Sequence, residues 1–378
     1  MNKNIFTINK ENENMRTGEL IINKIKIKTP VFMPVATKAT IKALSSNDIK
    51  KINFKIILCN LYHLINSPGI EIIKLNKKIK KFMNWKKLIL TDSGGYQTHS
   101  LKKKYSGYVE IKEEGVLFKN YINGKKFLLT PEKCIEMQND IESDIIMPLD
   151  FCIEQKATKK EVWSSINLMT NWLKKSLKFC EDNKVKKNKI FGIIHGSIYK
   201  DLRIEHLNQI SQLDLFVYAI GGLNLGEKKE ETWEICEVIK NKLNKKKPVY
   251  MMGNGEPEDI LNAISLGIDM FDCIIPAKHA RNGILYTIKE KIKIKKKKYE
   301  KDIENIEKDC GCEACDKYSR SYIRHLYKNK ELLYNRLATI HNLYFYKNFM
   351  KKIRENINNN KFEYFKKEFE NNYKYNKE

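Results

Sequence analysis

VYMMGNGEPEDILNAISLGIDMFDCII, residues 249–275, decides the architecture. The apolar run VYMM (249–252) is followed by a Gly-bearing turn, a helix-like segment over 257–266 and a second apolar run, MFDCII (270–275). Brief, continuous apolar runs suit strands covered on both faces. A strand–helix–strand unit of this kind predicts parallel pairing.

The same alternation extends outward. Further apolar runs are VFMPV (31–35), IILC (56–59), LILT (88–91), IIMPL (145–149), IFGII (190–194) and VYAI (217–220), with helix-like segments at 159–180 and 227–244. Thr130-Pro131-Glu132 reads as a helix start, with Thr as the cap and Pro in the first turn. Eight runs predict an α/β fold, a (β/α)8 TIM barrel, which takes roughly 250 residues. The first run is weak, and the family resemblance given below completes the count. Residues 1–285 are assigned to the barrel, with a polar insertion at about 98–129, expected as a hairpin. Residues 286–378 carry the lysine run KIKIKKKK, a Cys cluster and an amphipathic helical tail whose last dozen residues are expected to fray.

In such a barrel the chemistry sits at the C-terminal ends of the strands. Those positions hold Asp92-Ser93-Gly94-Gly95-Tyr96, Asp150, His195-Gly196, Gly221-Gly222-Leu223, Gly253 and Asp272. Singly, Asp92 could start a turn and Asp150 could cap a helix. Together they put three carboxylates at one mouth, beside Gly-rich loops that allow a flat ligand close to the backbone. Asp272 lies in the apolar stretch DMFDCIIP, where an unpaired charge is costly. A carboxylate can attack the anomeric carbon of a sugar while a second carboxyl handles the proton, and Asp272 and Asp92 could divide those roles.

Nine Cys in a chain without a secretory leader argue against a disulfide framework. Cys59, Cys134, Cys180 and Cys236 read as small buried apolar residues. Cys310-x-Cys312-x2-Cys315 needs a different explanation. Three thiolates and an imidazole make a closed, structural zinc site, and spacing leaves His341, His325 and His279 open as the fourth ligand. A net charge of +25 favours a polyanionic partner. The excess is mostly Lys, as AT-rich codon usage also produces, so charge alone supports nucleic acid weakly. No stretch approaches the roughly eighteen apolar residues of a membrane span, and a cytoplasmic location is expected.

DSGGYQ, the TPE helix start, YAIGGLNLGE, MFDCIIPAKHARNG, the Cys cluster and RLATIHNLYFY occur in this order. In these motifs, over nearly its whole length, the chain resembles the tRNA-guanine transglycosylases, and among them the bacterial type. The resemblance implies an enzyme that exchanges the wobble guanine of tRNA by double displacement. It implies Asp272 as the nucleophile on the ribose and Asp92 as the general acid/base. Asp150, Gly222 and Leu223 would hold the base, with Tyr96 and Met252 sandwiching it. Cys310, Cys312, Cys315 and His341 would bind one Zn2+, and two chains would form a homodimer through the zinc region. Lys278 and Arg281, with the run 293–298, are expected at RNA phosphates. Three positions depart from the family pattern: His195 stands for a Gln, Phe151 for an acidic residue and Lys278 for an Arg. Cys152, and Leu225 where queuine-type pockets have Gly, imply the precursor preQ1 (7-aminomethyl-7-deazaguanine) as the incoming base.

Three rival readings are a non-catalytic partner subunit, a barrel glycosidase and a zinc-containing RNA-binding module. The presence of Asp272 and Asp92, the Cys cluster and the barrel-sized segment argue against them in turn.

Overall fold

In the computed structural model, residues 5–120, 123–213 and 215–375 are described. All eight apolar runs contribute parallel strands: Val31–Pro34, Ile56–Asn60, Leu88–Asp92, Ile145–Ile146, Gly192–Ile194, Tyr218–Ile220, Val249–Met251 and Met270–Cys273. They form a three-stranded and a five-stranded parallel sheet, with Met270–Cys273 pairing back onto Val31–Pro34. Two single parallel bridges, Val35 with Leu58 and Ile146 with Ile190, connect the sheet edges.

Side-chain alternation sorts the core. Met33, Leu58, Leu90, Met147, Ile193, Ala219, Tyr250 and Met270 fall in one central cluster. Their strand neighbours Ile57 and Ile89, and likewise Phe32, Ile146, Tyr218, Met251 and Phe271, pack in two outer clusters with helical residues. A residue period of two on strands buried on both faces produces this division.

The helices lie where the sequence places them. Helix Lys159–Asp182 starts at a Thr158/Glu161 capping box and buries Val162, Ile166, Met169, Leu173 and Leu177 along one stripe. Helix Pro131–Asp140 is capped by the Thr130 side chain, with Pro131 in its first turn. Helices Lys229–Lys242 and Pro257–Ser265 match the two segments read from spacing.

Three features differ from expectation. The insertion contains helix Gly95–Lys104 and a three-stranded antiparallel sheet, Val109–Lys112, Gly115–Lys119 and Lys126–Leu129, so it is more than a hairpin. Trp172 ties it down by donating its indole N–H to the Glu113 carbonyl at 2.8 Å. The polar N-terminus forms a second three-stranded antiparallel sheet over 5–29, whose Leu20, Ile22 and Ile27 join the central cluster. The tail helix runs over Phe362–Tyr375, through most of the residues expected to fray, because Phe362, Phe365, Phe369 and Tyr373 pack on Phe349 and its neighbours. Residues 376–378 of that tail lie outside the described residues.

Arg16 fastens the N-terminal sheet to the foot of the strand that carries Asp272. It donates to Asp269 Oδ1 at 3.0 Å and Oδ2 at 2.6 Å, with both residues buried. It also donates to the carbonyl oxygens of Lys245 and Lys247. Removing one partner of a buried pair strands the other charge, at a cost of about 3–5 kcal/mol. Arg16→Leu is therefore expected to lose stability on that scale in a denaturant titration, whereas Lys26→Leu, in an exposed pair with Glu19, loses less than about 1 kcal/mol.

Candidate active site

Asp92, Asp150, His195, Gly221, Gly253 and Asp272 all lie at or just beyond the C-terminal ends of the parallel strands. Among the described residues, no Lys or Arg forms an ion pair with any of the three carboxylates. Hydrogen-bond donors take that place.

Asp272 is buried, and its Oδ1 accepts from the Tyr250 hydroxyl at 2.6 Å and the Gly253 amide at 2.8 Å. Burial raises its pKa, and those two bonds oppose the rise. Asp92 is half-buried and accepts from Asn60 Nδ2 at 2.7 Å. Burial, then the charges of Asp150 and Asp272, push its carboxyl up to about 8, against the pull of the Gly94 amide and Asn60. Asp92 is thus protonated near neutrality while facing two other carboxyls, the separation of states that acid–base work requires.

Asp150 Oδ1 accepts from Ser93 Oγ at 2.7 Å, and His195 Nε2 lies 3.0 Å from Oδ2. A Cβ on Gly95 would stand 2.0 Å from Asp150 Oδ1, so this helix start must be Gly for the carboxylate to fit. The His195 ring lies against Gly221 and Gly222. A Cβ on Gly221 would come within 3.0 Å of the ring and one on Gly222 within 2.9 Å. Arg203, fully buried, donates to the carbonyl oxygens of Ile194, Ser197, Gly221 and Gly222, fixing both loops from below. Glu227 accepts from the Asn224 and Leu225 amides and from Thr232, and Gln155 donates to it, which clamps the loop after Leu223.

The remaining residues named from sequence have separate places. Leu223 is buried, Met252 half-buried and Tyr96 exposed. Arg281 is half-buried beside a cavity of about 170 Å³ next to Cys273, and Lys278 is exposed on the same helix, Ile275–Arg281. Lys293 and Lys295–Lys298 are exposed, while Ile292 and Ile294, on either side of Lys293, are buried. Tyr250, Asn60, Ser93, Arg203 and His206 escaped the sequence reading. Asn60, one residue beyond IILC, and Tyr250, in register with the inward-facing residues, carried a usable signal.

Cys310, Cys312, Cys315 and His341 converge with all ligand atoms within 4.8 Å of one another, and all four are buried. His341 Nε2 donates to the Tyr286 carbonyl at 2.7 Å, which leaves Nδ1 facing the three sulfurs at 3.3–3.7 Å. This arrangement fits a tetrahedral metal ion. His325, exposed and bonded to Asn329, and His279, bonded to the Tyr286 hydroxyl, are engaged elsewhere.

The family model for queuine tRNA-ribosyltransferase matches residues 11–375. The chain belongs to that family. It is 45% identical to a queuine tRNA-ribosyltransferase of Buchnera aphidicola subsp. Schizaphis graminum, over 97% of this chain and 99% of that protein. It is 43% identical to that of Buchnera aphidicola subsp. Acyrthosiphon pisum (strain 5A), over 96% and 97%. Against that of Thermoanaerobacter sp. (strain X514) it is 43% identical, over 97% and 96%. The family is one of tRNA-guanine pentosyltransferases. No helix among the described residues is long and apolar enough to cross a membrane.

Two outcomes follow from this geometry. Because the folded Asp92 carboxyl titrates near 8 rather than near 3.8, the folded state holds a proton there that the unfolded chain has lost. That contribution is full below about pH 4 and is lost as pH rises through 8. Asp92→Asn should match the wild type in stability at pH 4 and exceed it by at least about 1 kcal/mol at pH 8.5 in paired denaturant titrations. Elemental analysis should find about one metal ion per chain after dialysis, and Cys312→Ser should lower both that content and thermal stability.

Proposed function

We propose that this chain exchanges the wobble guanine of tRNA anticodons for a 7-deazaguanine base, with preQ1 the favoured incoming base. The exchange proceeds by double displacement through a covalent Asp272–ribose intermediate. The observation that carries the reading is the pairing of a buried, hydrogen-bonded Asp272 with a second carboxyl, Asp92, held protonated near neutrality.

Both hydrogen bonds to Asp272 fall on Oδ1, which leaves Oδ2 to bond C1′ of the ribose. As that bond forms, the C1′–N9 bond breaks and its electron pair leaves with guanine, which takes the proton of Asp92 at a ring nitrogen. Asp92, now a carboxylate, removes the N–H proton of the incoming base. That nitrogen attacks C1′ and displaces Asp272, so two inversions retain the configuration. Asp150 accepts the N–H donors of the base, with His195 beside it and the backbone of Gly222 and Leu223 along its edge. Tyr96 and Met252 cover its two faces. The nucleotide must leave its stack to reach Asp272, and Lys278 and Arg281 contact the flanking phosphates.

The eight parallel strands and two edge bridges read as one closed (β/α)8 barrel within residues 1–285. The insertion at about 98–129 forms a side element, and residues 286–378 supply the metal subdomain and C-terminal helices. Cys310, Cys312, Cys315 and His341 hold a structural Zn2+, which orders their loop and supplies no step of the exchange. A cytoplasmic homodimer, formed through the zinc region, completes the reading. Leu225 and Cys152 support preQ1 over queuine because the larger base needs a smaller residue at position 225.

The test is incorporation of labelled guanine into an unmodified tRNA transcript with a wobble guanine. The wild type should incorporate label, preQ1 should block it and queuine should not. Asp272→Ala should show no incorporation with an unchanged circular-dichroism spectrum and metal content. Block by queuine would reverse the base assignment, and normal exchange by Asp272→Ala would overturn the mechanism.

A further inference from the structure

Asp150 and His195 form the one carboxylate–imidazole contact among the described residues of the mouth, and each is about 4% exposed. We propose that base capture is linked to the charge on His195: the site takes its base with the imidazole neutral and loses affinity when the ring gains a proton. The inference rests on the reading of Asp150 as the base-binding carboxylate.

Ser93 already uses one lone pair on Oδ1 of Asp150 and His195 faces Oδ2. A guanine-type base presents two adjacent N–H donors on one edge, and these need both oxygens of a fully charged carboxylate. A neutral ring donating Nε2–H orients Asp150 and leaves its charge intact. A protonated ring turns Asp150 into half of a buried ion pair. The base must then compete with a charge-assisted bond where solvent screens little. His195 is therefore a positioning residue that acts through Asp150.

Several elements bring groups against the ring. Helix Lys200–Ser211 presents His206, whose Nδ1 accepts the His195 amide at 2.8 Å and which burial holds neutral, its pKa down to about 3. The same helix presents Arg203, whose positive charge under Gly221 and Gly222 opposes protonation of His195. The Gly221–Gly222 loop brings no ionisable side chain. Asp150 pulls the other way through its contact with His195 Nε2 at 3.0 Å. Imidazole is the side chain whose charge ordinarily changes between pH 5 and 8, so base binding in that range should release a proton.

The experiment is calorimetric titration of the full-length, metal-loaded protein with guanine from pH 5.5 to 8, in buffers of different ionisation enthalpy. In the wild type, Kd should rise toward about tenfold per pH unit on the acid side, with net proton release. His195→Gln, which carries no ionisable group there, should keep only the pH dependence and proton exchange that Asp92 contributes. Titration of Asp92 is common to both proteins, so the difference between them isolates His195. A measurement on the wild type alone gives a second route: guanine should lower the pH midpoint of the His195 Cε1–H resonance. Parallel pH profiles in the two proteins, tighter wild-type binding at low pH, or a midpoint that guanine leaves unchanged or raises would overturn the linkage. Wild-type protein that binds no guanine at any pH would instead remove the base-binding reading itself.

Discussion

Three carboxyl groups share one mouth without a lysine or arginine among the described residues paired to any of them, and the architecture of the site follows from that constraint. Uncompensated carboxylates in a buried setting repel one another and lose hydration. The structure answers with a neutral hydroxyl and an amide on Asp272, a carboxamide and an amide on Asp92, and a hydroxyl and an imidazole on Asp150. The remaining strain is relieved by protonation, and it falls on Asp92, which feels both of the others. A cation placed among them would be a simpler solution, but it would also return Asp92 to the ordinary carboxylate range and remove the acid. The electrostatic discomfort of the site is thus part of its chemistry.

Precision at such a mouth depends on what holds its loops. The helix Leu332–Asn358 links the Cys3His cluster to the surroundings of Asp272 through three successive devices. His341 donates to the Tyr286 carbonyl. Asn342 receives the Tyr286 amide and donates to the carbonyls of Pro276 and Ile284. The Tyr346 hydroxyl donates to the Gly255 carbonyl. Pro276 lies four residues past Asp272, and Gly255 two past Gly253, whose amide binds Asp272. The four residues of the cluster lie far from Asp92 and Asp150 in sequence, yet the helix that supplies His341 also fixes the backbone on either side of Asp272.

Most of this was legible in the chain, for definable reasons. Buried parallel strands advertise themselves as short apolar runs, and the family resemblance completed the count at the weak first run, so the strand ends located the carboxylates. The Cys cluster was equally plain, although spacing left three histidines open until the family motif pointed to His341, which the fold brings to the sulfurs. The N-terminal sheet was missed although KIKIK (24–28) alternates as a half-buried strand does, because the search for continuous apolar runs passes over strands with one polar face. The end of the C-terminal tail was expected to fray because its Phe and Tyr residues at helical spacing are diluted by Asn and Lys. Tyr250 and Asn60 were missed despite a usable signal, whereas Arg203 and His206 lie on a helix whose approach to the strand ends only the packed fold reveals.

The three departures from the family pattern look equivalent in sequence and prove unequal in place. Phe151 is buried, packs edge-on against Trp172 at 5.5 Å and belongs to the core beneath helix Lys159–Asp182. A carboxylate there would need a partner that this apolar cluster does not offer, so the exchange for Phe is compensated by packing. Lys278 is exposed on its helix Ile275–Arg281, a setting that imposes none of the bidentate geometry in which Lys and Arg cease to be interchangeable. His195 alone touches a carboxylate of the mouth, in a space that two glycines keep open and a buried arginine holds in shape. An amide at that position could donate and accept but could never carry charge. An imidazole can do all three, and the structure places it where a single proton alters the strength of the neighbouring acceptor.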